Sequence, residues 1–224
     1  MEDYVYLDTL EDGLFGGVYD GHGGYKAAEC ASAHLHCYFF EAVKVGHTPS
    51  DSFLLSYRQV HEELTPDMAG TCALTFFIKD EMVYYANAGD GKIIIFDDKG
   101  ATQLSTDHRV TTPLEKERIL AEGGEIKGLY VFTKDYRGLK VTRSLGDYPH
   151  KAIGVICDPV TGVYTLKNSD QFLVVGTDGL FDTLTDEAIA RIVKDSQGDL
   201  AEELVSAALK EGSKDNISAV VIKL

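Results

Sequence analysis

Four short β-rich runs follow one another in the middle of the chain with no helical pattern between them. They are LTFFIK (74–79), MVYYAN (82–87), KIIIFD (92–97) and ATQLS (101–105). Lys79-Asp80-Glu81, Gly89-Asp90-Gly91 and Asp97-Asp98-Lys99-Gly100 separate them. Such spacing predicts a meander of hairpins. Helical periodicity lies outside this block. Residues 26–45 predict a helix apolar on more than one face, and 50–64 predict a second, with Ser50 or Asp51 near its start. A third covers 113–122, with Pro113 in its first turn and Gly123-Gly124 ending it. Residues 186–196 and 200–212 carry apolar residues at i, i+3, i+4, while 171–177 and 217–224 predict strands. Helices thus gather at both ends of a strand-rich middle. Strands and helices do not alternate as a parallel sheet requires, so the expected class is α+β, an antiparallel sheet covered by helices.

At 224 residues, one domain spanning 1–224 is expected, and 44% hydrophobic residues can fill one core. The chain has 36 acidic against 21 basic residues, a formal net charge of -15. Such a surface repels phosphate backbones, which argues against nucleic acid as a partner. It suits a protein that gathers cations. The cysteines, Cys30, Cys37, Cys72 and Cys157, form no CxxC, and reduced thiols are expected. No run of eighteen apolar residues and no charged-then-apolar leader occurs, so no membrane span is expected. The expected location is intracellular, cytoplasmic or nuclear, and the expected state a monomer.

Acidic residues stand at five turn-like or strand-end places: Glu2-Asp3, Asp20 in VYDGHGG, Asp90 in NAGDGK, Asp178 with Asp182 in GTDGLFD, and Asp215 in SKDN. Four of these share one syntax, an apolar strand, then Asp, then Gly or Asn. The strand fixes the backbone, the Asp projects from its end, and the small residue admits a ligand. Hard divalent cations take oxygen ligands, and carboxylates converging from several strand ends would supply them. Each match alone also reads as a hairpin turn. His22, between glycines, reads alone as a turn histidine, and His34, His36, His47 and His61 as packing or surface. The glycines of DGHGG lack a Walker lysine and the GxGxxG spacing, which argues against a nucleotide site.

Taken in order, the segments resemble the PPM, or PP2C, family of metal-dependent protein serine/threonine phosphatases. They are Met1-Glu2-Asp3, GGVYDGHGG (16–24), GTCA (70–73), ANAGDGK (86–92), LSTDHRV (104–110), EKERILAEGGEI (115–126), LKVTRSLGD (139–147), QFLVVGTDGLFD (171–182) and GSKDNISAVVI (212–222). The resemblance implies a β-sandwich of two antiparallel sheets flanked by helices, in α-β-β-α layers, with two Mg2+ or Mn2+ ions in a cleft at one end. It implies Asp20 as the ligand bridging both ions and the carbonyl of Gly21 as a further ligand. Asp3, Asp178 and Asp215 match direct ligands, and Glu2 one that acts through water. Asp90 and Asp182 match the positions of a weaker third ion. His22 matches the general acid. The implied reaction is attack on phosphorus by a hydroxide bridging the metals, on phosphoserine and phosphothreonine of protein substrates, with no phosphoenzyme. No CxxxxxR signature points to a cysteine nucleophile. His108 is expected to orient a loop. Arg118 is expected in a buried ion pair and Arg143 as an anion contact or a pair. Asp147 is expected as a turn or supporting residue, and His150 has no assigned role.

The sequence departs from the family in three places. The family carries an arginine three residues before Met-Glu-Asp, a position that lies ahead of Met1, so two expectations stand: a domain truncated at its N-terminus, or one that has lost this phosphate anchor. That arginine grips the substrate phosphate, and a lysine does not reproduce its planar fork. GDGK (89–92) replaces Gly-Asp-Ser-Arg, and VFTKDYRG (131–138) replaces Arg-Val-Asn-Gly beside the substrate-side flap. Two readings follow. One is an active phosphatase, resting on the retained carboxylates. The other is a catalytically weak or inactive relative that serves as a binding or regulatory domain. A metal-binding module with no hydrolytic role stands outside the family.

Overall fold

A computed structural model of the chain describes residues 1–10, 13–65, 69–135 and 137–224. Strands β1 (Tyr4–Leu10) and β2 (Gly13–His22) are followed by helices α1 (Lys26–Lys44) and α2 (Pro49–Glu63). Strands β3 (Gly70–Lys79), β4 (Met82–Ala88), β5 (Lys92–Asp97) and β6 (Ala101–Gln103) form the middle of the chain. Helix α3 (Pro113–Ala121) leads to β7 (Glu125–Lys127), β8 (Tyr130–Phe132) and β9 (Gly138–Leu139). Then come β10 (Leu145–Gly146), α4 (Tyr148–Lys151), β11 (Val160–Thr165) and β12 (Asp170–Gly176). The chain closes with α5 (Asp178–Phe181), α6 (Asp186–Asp195), α7 (Leu200–Lys210) and β13 (Ala219–Lys223).

The two expected antiparallel sheets are present. One runs β1-β2-β3-β4-β11, with β10 beside β3, and the other runs β13-β12-β5-β6. Side-chain alternation assigns each strand two jobs. Ile93 and Ile95 of β5 meet Leu74 and Phe76 of β3 and Leu173 and Val175 of β12 between the sheets. The alternate residues Ile94 and Phe96 turn outward to Ile189, Val193 and Leu204 of α6 and α7. Burial on both faces is why KIIIFD is an unbroken apolar run. On the other side Ala73 and Phe77 meet Leu35, Phe39, Phe53 and Tyr57 of α1 and α2. The layers are therefore α-β-β-α. Helix α1 is apolar on more than one face because it packs on β1, β2 and β3 and also against α2, which lies beside it on the same sheet.

A third, three-stranded sheet, β7-β8-β9, was not expected. Its strands are two or three residues long, too short for a periodicity to register. Tyr136 of the 131–138 segment lies outside the described residues. Helix α2 starts earlier than expected. Thr48, not Ser50 or Asp51, caps it by accepting from the Asp51 amide, with Pro49 at the first position. Strand β6 ends at Gln103, so the run at 101–105 is shorter than expected.

Candidate functional site

Antiparallel pairing brings alternate strand ends to one edge. The start of β1, the end of β2, the start of β3 and the end of β4 are neighbours in the first sheet. The end of β12 meets the starts of β5 and β13 in the second. Gly89-Asp90-Gly91 crosses from one sheet to the other at that edge. Asp3, Asp20, Asp90, Asp178 and Asp215 all flank these ends. Close approach there demands glycine. A Cβ at Gly21 would run into the Glu2 carbonyl, and one at Gly89, whose φ is 145°, into the Cys72 side chain.

The edge holds a cleft of about 410 Å³ lined by Glu2, Asp20, Gly21, His22, Asp90, Lys140, Asp147, Asp178 and Asp215, among others. Asp20, Asp90 and Asp178 each offer a carboxylate oxygen within 4.8 Å of the others. Asp182 is off the cleft wall and flanks a neighbouring depression with Asp178 and Asp215. Asp3 is buried, and neither of its oxygens has a hydrogen-bond partner. Burial pushes its pKa up to about 6, against the tempering of Ser218 and Thr177 nearby, and Asp215 and Asp178 add to the rise. Burial, then the charges of Asp3, Asp178, Asp90 and Asp215, pushes Asp20 up to about 9. A buried carboxylate without donors, among other carboxylates, is costly unless a cation compensates it. The all-oxygen chemistry of the cluster Asp20, Asp90 and Asp178 fits hard divalent cations, and of the other expected ligands Asp215 and Gly21 line the same cleft whereas Asp3 is buried beside it.

Asp90 and Asp182 differ. Arg109 donates from Nε to Asp90 at 2.7 Å and from its terminal nitrogen to both Asp182 oxygens at 3.1 Å. Lys140 Nζ lies 2.5 Å from Asp178 and 3.1 Å from Asp182. Burial opposes the charge on Asp182, yet Arg109 and Lys140 hold its pKa below the usual carboxylate range. Asp90 is raised, first by burial and then by Asp178, with Arg109 opposing. The pair expected at a third ion thus already faces two protein cations. Sequence reading passed over Arg109 and Lys140. Both lie inside quoted segments, LSTDHRV and LKVTRSLGD, but their partners are 19 to 73 residues away.

His22 stands at the end of β2, and its Nε2 lies 2.7 Å from Asp147 Oδ2. Asp147 is buried, adopts a left-handed backbone with φ 49°, and accepts from Ser144 Oγ at 2.6 Å. Its carboxylate explains Gly70, where a Cβ would collide with it. Burial favours neutral His22, but the Asp147 hydrogen bond and charge outweigh it and raise the pKa. Asp147 is thus the partner of His22 and not merely a turn. His108 Nδ1 accepts from the Gly89 amide, and burial lowers its pKa to about 4. It braces the Asp90 loop in the neutral form, the orienting role expected. Arg118 and Arg143 both pair with buried Glu115, so both are bound to this carboxylate. His150 lines the cleft, and its Nε2 bonds the Arg137 carbonyl. The four cysteines are free thiols. His36 stacks on Tyr6, but His34 is not a plain surface residue, because Cys30 and Glu63 cluster with it.

The sequence pattern of the protein phosphatase 2C family matches residues 7–217. The chain belongs to that family. Mouse (Mus musculus) protein phosphatase 1E is 30% identical over 97% of this chain, which spans 31% of that protein. Protein phosphatase 2C homolog 1 of Saccharomyces cerevisiae is 29% identical over 100% of this chain, which spans 88% of it. The solved structure of a C. elegans sex-determining protein superposes with a TM-score of 0.88 at 24% identity, over 99% of this chain and 61% of that one. Family and neighbour both carry the sandwich described above. Among the described residues no helix is long and apolar enough to cross a membrane.

Proposed function

We propose that this chain, as one domain over 1–224, hydrolyses phosphoserine and phosphothreonine in proteins with a pair of Mg2+ or Mn2+ ions. The observation that carries the proposal is the meeting of Asp20, Asp90 and Asp178 in a cleft whose wall also holds the His22–Asp147 pair. Asp20, with Asp3, Asp178, Asp215 and the Gly21 carbonyl, would hold the pair, and Glu2 would act through water. When bound, the ions supply an acidified water as nucleophile and offset the charge of the phosphoryl oxygens. Asp147 holds the His22 ring by Nε2 and favours its protonated form. The other ring nitrogen then gives its proton to the departing serine or threonine oxygen. Phosphorylated proteins are the partners, and the chain works as a monomer.

The test is phosphate release from a phosphothreonine peptide. Turnover with Mn2+, lost with EDTA and with Asp20→Ala, supports the proposal. Absence of turnover by the Mn2+-loaded protein overturns it.

One observation favours a second reading, a weakly active regulatory domain. Lys140 and Arg109 already neutralise Asp90, Asp178 and Asp182, and Asp178 is a proposed ligand. An ammonium group bound to a ligand must be displaced before that carboxylate serves a metal fully, which costs affinity.

A further inference from the structure

Cys30 and His34 stand one turn apart on α1, and Glu63 is the last residue of α2. Cys30 Sγ lies 3.7 Å from His34 Nδ1 and 3.8 Å from Glu63 Oε2. His34 Nδ1 and Glu63 Oε2 are 2.8 Å apart. Three donor atoms, one each of S, N and O, therefore form a small triangle. Tetrahedral zinc with its usual bond lengths sets neighbouring ligand atoms about 3.3–3.6 Å apart. Opening the N–O edge by about half an ångström would reach that spacing.

The connectivity argues against a nucleophilic triad. In such a triad the base meets the nucleophile with one ring nitrogen and its orienting carboxylate with the other. Here the sulfur and the carboxylate both face Nδ1, so no proton can pass through the ring. Three donors converging on one point is the arrangement of a metal site. The donor types select the metal. Thiolate with imidazole suits zinc-class ions, whereas Mg2+ prefers oxygen alone. The second Glu63 oxygen accepts from the Tyr38 hydroxyl, which holds the carboxylate in place. The site lies on the helical layer, and none of its three residues lines the carboxylate cleft. His34 and Glu63 are exposed, so an ion would enter from solvent.

We propose that Cys30, His34 and Glu63 form a zinc-class metal site with one open position, which clips α1 to α2. Binding would take the Cys30 proton, so uptake would release acid.

Co2+ is the probe, because a thiolate ligand gives it a charge-transfer absorption that oxygen ligands do not. Excess Mg2+ is included to hold the carboxylate cleft. The expected result is a thiolate band at one Co2+ per chain, lost with Cys30→Ala and displaced by Zn2+. Glu63→Gln or His34→Ala should loosen Co2+ by more than about tenfold. Zn2+ should raise the Tm of the unaltered chain but not of Cys30→Ala. Cys72→Ala is the control, since the Cys72 sulfur lies by Asp90 in the cleft. Absence of the band, its survival in Cys30→Ala, or its loss in Cys72→Ala overturns the proposal. Phosphatase activity should be unchanged in Cys30→Ala, so this test stands apart from that of the cleft.

Discussion

At the residue scale, His22 is the proposed general acid and Asp147 its hydrogen-bond partner. A general acid matters most when the leaving group is a poor one. His22→Ala should therefore lower kcat on a phosphothreonine peptide by about a hundredfold or more. The loss should be much smaller on an aryl phosphate, whose phenolate departs without a proton. Equal losses on the two substrates would remove His22 from that role. Asp147→Asn is a conservative probe, because Asn tolerates the left-handed backbone found at Asp147. It should lower the His22 pKa, read directly by NMR titration, by removing the charge that raises it. Lys140 allows a different prediction. Lys140→Ala frees Asp178 and Asp182 from an ammonium ion, so Mn2+ should bind several-fold more tightly by calorimetry. Unchanged or weaker binding would show that Lys140 does not compete with the metal.

At the element scale, the buried Tyr57 of α2 anchors a helix to the strands that shape the cleft. Its hydroxyl contacts the carbonyls of Ala73 at 3.0 Å and Ala86 at 3.2 Å, and Thr75 Oγ1 at 3.0 Å. Tyr57→Phe keeps the ring and removes this link between α2, β3 and β4. It should cost about 1–2 kcal/mol in a denaturant unfolding experiment. The elements most visible in the sequence were those with a strong period or a two-sided apolar run. Strand β5 and helices α6 and α7 are examples. The three-stranded sheet at 125–139 was hidden, because two- and three-residue strands carry no period and owe their pairing to neighbours.

At the scale of the whole molecule, the carboxylate edge should set how stability depends on pH and metal. Without metal, Asp20 has a folded pKa of about 9 against an unfolded value of 3.8. The folded chain then binds more protons than the unfolded one between these limits, and stability falls as pH rises. His61 and His108, both lowered to about 4, act in the opposite sense, but only below their unfolded value of 6.5. Lys151, lowered to about 8, opposes above that pH. Between pH 7 and 8 the Asp20 effect should dominate. Unfolding of the EDTA-treated chain should show stability falling by up to about 1.4 kcal/mol per pH unit. Saturating Mg2+ should raise stability and flatten this slope, because a bound cation keeps Asp20 ionised. A slope the same with and without Mg2+ would argue that Asp20 holds no metal.

The α+β class, the antiparallel pairing and the acidic strand ends were legible in local pattern, whereas the two-sheet layering came from the family resemblance. Apolar runs identify buried strands, and Asp-Gly or Asp-Asn after such a run marks an end with a projecting carboxylate. The motifs around Asp20, Asp178 and Asp215 identified the family for the same reason. Contacts between distant segments were not legible. His22 meets Asp147 across 125 residues, Lys140 meets Asp178 across 38, and His34 meets Glu63 across 29. Nothing local distinguishes these side chains from surface charges. Only the closing of two sheets onto one edge, and of one helix onto the next, decided which charges face each other. That edge is where Asp20, Asp90 and Asp178 meet, and where Arg109 and Lys140 pair with Asp90, Asp178 and the neighbouring Asp182.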